Sequence, residues 1–384
     1  MLNKKIIILL FLIAIVSLFL VTNRNKIVRH FYPRVAIAEK HINNISVETP
    51  KTYELLQIAC SLTPTFQNDP NLLNKKSEYY SDVEKYFGSF SNHPLIQKLE
   101  NHLDFKSNLA IRLHSISYDV NNSNELEQNN TIRFNPIVKK IFYWNSFLIS
   151  ENQKLINDFA KQTDFASFYE KHEHYYQDLA ENYQKRCDFE GMKLWLETKF
   201  DNEHQSYRVV FSPLTGGLHF TLALKNNQEM SQTFMFVSSN LRPIDTLDID
   251  KAEISNGLQS RVVFTEIDHN YVNPLTDQFI SELEKSMKNY KDWNIQSKSN
   301  YKSKYKTFNE YMTWGVFSLY ALDTYTPKNS KKIIERTTRL INDRRKFHRF
   351  EDFNNELIRQ YKLKGKPKIE TLYPIMLKWM REYA

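Results

Sequence analysis

Glycine is scarce in this chain, at seven of 384 residues. Loops that cradle phosphate through backbone N–H groups need glycine in runs, so a nucleotide site of the P-loop kind is excluded. Cysteine is scarcer still. Cys60 and Cys187 do not make a zinc site, and at 127 positions apart they leave open whether they pair in an oxidising compartment. No Gly-x-Ser-x-Gly element occurs, which argues against a covalent serine hydrolase. Nor is charge of one sign in large excess. The net charge is +8, and it falls to +6 without residues 1–23, which hold two lysines and no acids. The densest basic stretch, Lys331-Lys332 through Arg344-Arg345-Lys346 to Arg349, is interleaved with Glu335, Asp343 and Glu351 and reads as a solvated helical face. No nucleic-acid partner is expected. There is no internal repeat, and after residue 23 no segment resembles a membrane span.

What is present in quantity is aromatic and apolar side chain, 14% and 41% of the chain. With few glycines, this composition points to a compact, aromatic-packed, largely helical protein. At the start, Lys4-Lys5 precedes an apolar run from Ile6 to Val21, the pattern of an export signal. A convincing small-x-small cleavage site is missing, so the segment 1–23 is either a signal peptide or a retained membrane anchor. Arg24, Lys26, Arg29 and Arg34 follow the run and outnumber the lysines before it, so charge leaves the orientation open. The expected location is extracytoplasmic, in the periplasm or cell envelope.

Residues 24–200 carry helical periodicity and read as an all-helical half, with helices from Thr49-Pro50 to Thr63-Pro64, Ser77 to Phe87, Pro94 to Leu103, Pro136 to Phe159 and Phe165 to Arg186. Asn121 to Asn130 is polar and loop-like. Residues 201–384 form the second region, in one continuous unit with the first or apart from it. There Tyr207–Phe211, Leu218–Leu224 and Thr233–Val237 alternate as strands and predict a small antiparallel meander. Helices follow over 258–272, which Pro274 should break or kink, over 277–289, and through the C-terminal third from Tyr305 to Tyr383. The fold class is therefore α+β and mostly helical.

Residues 264–274, Phe-Thr-Glu-Ile-Asp-His-Asn-Tyr-Val-Asn-Pro, carry the chemistry. In His-Glu-x-x-His, two histidines four apart share a helix face and grip zinc, while the glutamate polarises a water at the open position. Here the pattern reads Thr265-Glu266-x-x-His269. A threonine hydroxyl is a poor zinc donor, and the neighbouring Asp268 diverges by ~100° around the helix, so neither simply replaces the first histidine. Val262, Glu266, His269 and Asn273 would line one side of this helix. The plainer reading is an ordinary amphipathic core helix.

Three further places compete with packing explanations. Gly216-Gly217 would let a ligand backbone approach, with His219 as a substitute ligand or an oxyanion stabiliser; a hairpin turn with a packing histidine is the plainer reading. Glu310 is a lone carboxylate in an apolar helix, which suggests either a metal or hydrogen-bond partner or a first-turn residue facing solvent. His172-Glu173-His174 places its histidines on different faces and reads as a charged surface patch.

The stretch 264–274 also resembles a family of exported bacterial proteins of the gluzincin group, without an established reaction, whose members read His-Glu-Phe-Ser-His-Ser-Phe-Val-Asn-Pro. The likeness rests on Glu266, His269, Val272, Asn273 and Pro274, and extends weakly to Tyr80, Tyr86-Phe87, His93-Pro94, Ser212-Pro213-Leu214 and Glu310-Tyr311. It implies a zincin-like fold, with a small sheet whose edge strand aligns a peptide beside an active-site helix. It also implies Glu266 as general base, His269 and Glu310 as zinc ligands, and nothing in place of the first ligand at Thr265. Two functions follow as expectations: zinc-dependent peptide hydrolysis, with His219 or water completing the metal shell, or a catalytically inactive pseudo-peptidase, with zinc or without it, that serves in the envelope as a structural protein or keeps the cleft to bind a peptide or protein partner.

Overall fold

A computed structural model describes residues 33–134, 146–238, 248–295 and 301–383. The segment 1–23, with its signal or anchor, lies outside the described residues. Residues 136–145 of the helix expected from Pro136 to Phe159 also lie outside them, and the described part of that stretch is helical from Ile149.

Strands β1 (Arg34–Val35) and β2 (Ile45–Glu48) precede five helices: α1 (Lys51–Ser61), α2 (Pro64–Gln67), α3 (Glu78–Phe87), α4 (Pro94–Glu100) and α5 (Phe105–Ser115). Three short strands follow, β3 (Tyr118–Val120), β4 (Leu126–Gln128) and β5 (Ile132–Arg133), then helices α6 (Ile149–Gln162), α7 (Phe165–Arg186) and α8 (Phe189–Lys199). The central strands are β6 (Ser206–Ser212), β7 (Phe220–Lys225) and β8 (Ser231–Ser238). The C-terminal part is helical: α9 (Ile249–Gln278), α10 (Ile280–Ser286), α11 (Lys304–Thr324), α12 (Pro327–Arg339), α13 (Phe350–Leu363) and α14 (Tyr373–Tyr383). No described helix is long and apolar enough to cross a membrane.

The fold is α+β, as expected, but the sheet is not a meander. Its order is β2-β6-β8-β7-β1-β5, with β2, β6 and β8 mutually parallel, β7 antiparallel to β8, and β1 antiparallel to β5. The local sequence favours joining consecutive strands, yet β6 skips β7 to pair with β8 over Ser206–Ser212. Burial explains the choice. β6 is buried throughout and β8 almost so, one face in the core of the C-terminal helices through Tyr207, Val209 and Met235, the other in a core with Tyr53 through Val210 and Phe234. A strand with two apolar faces belongs inside a sheet, and parallel neighbours covered by helices supply that position. The first half is accordingly not all helical, because β1, β2 and β5 complete the sheet and β3 pairs with β4 across Asn121–Glu125.

Turn chemistry sets the helix starts. Ser77, Asp104 and Ser303 each accept a backbone N–H of the first turn, and Thr63-Pro64 begins α2 rather than merely ending α1. Cys60 and Cys187 are both free and lie in separate core clusters, where burial pushes each thiol up to about 12.

Behind the sheet, fully buried Glu54 accepts a hydrogen bond from Tyr79 Oη at 2.6 Å, and Tyr79 in turn meets Tyr176 Oη at 2.7 Å. Burial raises the Glu54 carboxyl from 4.5 to about 7 against the pull of the Tyr79 and Ser212 hydrogen bonds. The folded state therefore holds this proton more tightly than the unfolded one. Its contribution is present below about pH 4.5 and is lost as pH rises through about 7, a change of up to roughly 3 kcal/mol. Glu54→Gln, which mimics the protonated acid, should match the parent in urea unfolding at pH 5 and exceed it by about 1–3 kcal/mol at pH 8. Equal stabilities at both values would remove this assignment.

Candidate functional site

Helix α9 is the spine of the site. Asp248 caps it by accepting from Lys251 N, and it runs through Pro274 without breaking. A proline in a helix deprives the carbonyl four residues earlier of its donor. That carbonyl, on Asn270, receives Asn202 Nδ2 at 3.5 Å. Close by, Tyr373 Oη donates to Val272 O at 3.2 Å and Tyr305 Oη to Asn273 O at 3.3 Å. The expected break does not occur, and the one carbonyl that the proline leaves without its helical donor is met by a side chain from outside the helix.

Val262, Glu266, His269 and Asn273 line one side of α9, as the spacing predicts, and face a cavity of about 490 Å³. Strand β7 forms the opposite wall through Phe220 and Thr221, and Asn270 Nδ2 ties the helix to it by donating to Thr221 Oγ1 at 2.8 Å. The third wall is α11, buried on every side from Thr307 to Ala321, which carries Glu310 into the cavity. Glu310 is only 5% exposed, so the solvent-facing alternative is excluded. The last wall comes from beyond α12, where a π-helical turn, Leu340–Arg344, delivers Arg345. Turns of this kind are frequent at functional sites.

The polar groups form one connected set. His269 Nε2 lies 3.4 Å from Glu310 Oε1, and His269 Nδ1 lies 3.4 Å from Asn273 Oδ1. The other Glu310 oxygen accepts from Trp314 Nε1 at 3.2 Å and from Arg345 Nη1 at 3.3 Å, while Arg345 Nη2 donates to Tyr301 Oη at 3.2 Å. Burial alone would neutralise Glu310, but the His269 hydrogen bond, the Arg345 charge and Trp314 outweigh it and hold the carboxyl below its usual range. Burial likewise pulls His269 down, and Glu310 with Glu266 more than restores it. Glu266 has no such hydrogen-bonded support. Burial lifts its carboxyl to about 7, with His269 and Arg345 pulling down and Glu310 pushing up.

Does this set fit zinc? A catalytic zinc site needs three protein donors around one point. Thr265 supplies none, because its Oγ1 turns back to donate to Val262 O at 3.0 Å. His269 and Glu310 point at each other, and a guanidinium already sits on the outer oxygen of Glu310. Among the described residues no group of three or more His, Cys, Asp or Glu is arranged to hold a metal. The residues present do not fit a zinc ion.

The remaining expectations divide. His219 does line the cavity, at the wall formed by the start of β7. The Ser238 N–H donates to its Nδ1 at 3.2 Å, and burial with Arg112 and Arg345 pulls its pKa down to about 4, so it is a neutral ring with the proton on Nε2. Gly216 does not open the wall to a ligand; a Cβ there would meet Pro70 O at 2.4 Å, so the glycine lets the chain at 70–71 approach. His172 is not part of a surface patch. It packs on Phe168 with ring centroids 4.2 Å apart, while Glu173 and His174 are exposed. The stretch 331–349 is a solvated face only in part, because Arg345 turns inward. Arg345, Tyr301 and Trp314 were not legible as site residues. Trp314 had one available signal, its position four residues after Glu310, where a helical neighbour can donate to a buried carboxylate.

The fold and site define an α+β protein with a charged cleft between a sheet strand and a long helix. The chain belongs to the family of a domain of unknown function (DUF4932), whose model matches residues 45–350 and so takes in every residue of the cleft named above. Comparison with curated proteins and with solved structures gives no match.

Proposed function

We propose that this protein is an exported relative of zinc metallopeptidases that has kept a peptide cleft and works without the metal. The observation that carries this reading is the state of Glu310, which is bound by His269, Trp314 and Arg345 rather than left open as a ligand. Lineage is supported by the match of Glu266 and His269 to the zinc-hydrolase pattern, by Asn273-Pro274, which the resembling exported family shares, and by the strand lying beside the helix. Export is supported by the basic-then-apolar pattern of residues 4–21.

A peptide is the fitting occupant because β7 offers a strand edge. β8 pairs with one side of β7, and β1 meets the other side only at Lys225, so from Phe220 to Leu224 the outer edge has no strand partner among the described residues. A second cavity, of about 710 Å³, continues from the first along Thr221, Leu222, Ala223 and Lys225 and shares His269 and Asn273 with it. An extended chain laid along this edge gains main-chain hydrogen bonds, with alternate side chains entering the two cavities.

The second reading is metal-dependent peptide hydrolysis with Glu266 as general base and His269 and Glu310 as ligands. It is favoured by Glu266 alone, whose carboxyl near 7 suits proton transfer at neutral pH. The donor set disfavours it.

Val262 is half-buried and lines the first cavity, so Val262→Trp should fill that cavity without disturbing the core. Affinity selection from a pentapeptide library should recover peptides with the parent, undiminished by a metal chelator and unchanged in mass, and recover none with Val262→Trp of equal melting temperature. Chelator-sensitive recovery, or cleaved peptides, would favour hydrolysis instead.

A further inference from the structure

We infer that the cleft takes the C-terminal end of an extended peptide, and that Arg345 is the specificity residue that binds its terminal carboxylate. This rests on the peptide-cleft reading above.

Charge is distributed unevenly along β7. At the Phe220 end the cavity contains Arg345, His269 and the His219 ring, whose Nδ1 is occupied by Ser238 N–H and whose Nε2–H is therefore a donor. Arg345 makes one hydrogen bond to Glu310 and one to Tyr301, its guanidinium lies over the Tyr301 and Trp314 rings, and its side chain remains 36% exposed. A guanidinium has five N–H donors and binds a carboxylate best through two of them, so donor capacity is left facing the cavity. Glu310 is shared among His269, Trp314 and Arg345. Glu266 is the remaining carboxylate on this wall, half neutral near pH 7. At the Lys225 end the balance differs. Glu203 is exposed there, and the two cations Lys225 and Arg34 are both met by Glu229, at 3.2 Å and 3.0 Å.

Strand direction then decides the orientation. A peptide antiparallel to β7 runs from the Lys225 end toward Phe220, which delivers its C-terminus to Arg345 and His219. A parallel peptide would place an ammonium group against the same cations. Antiparallel pairing is also the slightly more stable ladder.

The test compares one N-acetylated pentapeptide library made as free acids and as C-terminal amides, by affinity selection against the parent and against Arg345→Met/Glu310→Gln. The double variant removes both charges of the pair, which avoids leaving either one unmatched, and its folding is checked by melting. The parent should retain acids over amides by about tenfold or more, the value of a charge-assisted contact. The double variant should lose that preference. If the parent retains both forms alike, or the double variant still prefers acids, the role of Arg345 is overturned while the peptide-cleft reading stands. If the parent retains neither form, that reading falls as well.

Discussion

The double variant Thr265→His/Arg345→Met is expected to bind a stoichiometric zinc ion, with affinity raised roughly a hundredfold or more over the natural sequence. The two substitutions act on different defects. Position 265 lies one turn before His269 on the cavity side of α9, so a histidine there restores the missing imidazole. Methionine at 345 removes the guanidinium from the outer oxygen of Glu310, the place where a metal and Arg345 would compete for one carboxylate. Thr265→His alone should therefore gain less than the pair, and the two effects should exceed additivity. Calorimetric zinc titration of both single variants and the double measures this. If Thr265→His alone reaches full affinity, Arg345 does not guard the site.

Glu310→Ala should be among the most destabilising single substitutions in the cleft, by about 2–4 kcal/mol in urea unfolding. Removing one member of a buried ion pair leaves the other charge without compensation, and that penalty exceeds the worth of the pair. Glu310 is 5% exposed, and its loss strands His269, the Trp314 indole N–H and Arg345 together. Arg345 itself is about one-third exposed, so water relieves part of its share, which keeps the expectation below the upper end for buried pairs. In Glu310→Ala/Arg345→Ala the cost should be less than the sum of the single substitutions by at least about 0.5 kcal/mol. Additive costs would mean that Glu310 and Arg345 do not interact in solution.

How far the sequence foretold this site depends on which physical signal was local. The α9 face was legible because Val262, Glu266, His269 and Asn273 repeat at helical spacing within one element. Glu310 was legible only as an anomaly, a carboxylate in an apolar helix. Nothing local says that it meets His269, 41 positions earlier. Arg345 was hidden for the opposite reason: in a run mixed with acids its charge looks solvated, and only the π-helical turn before it rotates it inward. The positions of β6, β7 and β8 followed from alternation, but β1 to β5 and the strand order did not. β2 and β1 are short and far from β6 and β7 in the chain, and the parallel pairing of β6 with β8 is set by burial on two faces rather than by any turn between them. Pro274 shows the same limit. Its effect on α9 was local, whereas the donor to the Asn270 carbonyl comes from Asn202, 72 positions before the proline.

The central claim is that the cleft carries its own cation in place of a metal. Zinc analysis of the natural sequence, purified without chelator and dialysed against micromolar zinc, tests it most directly, with His269→Ala alongside. The account predicts substoichiometric zinc in both. Stoichiometric zinc in the natural protein, lost in His269→Ala, would contradict it and restore Glu266, His269 and Glu310 as a working metal site.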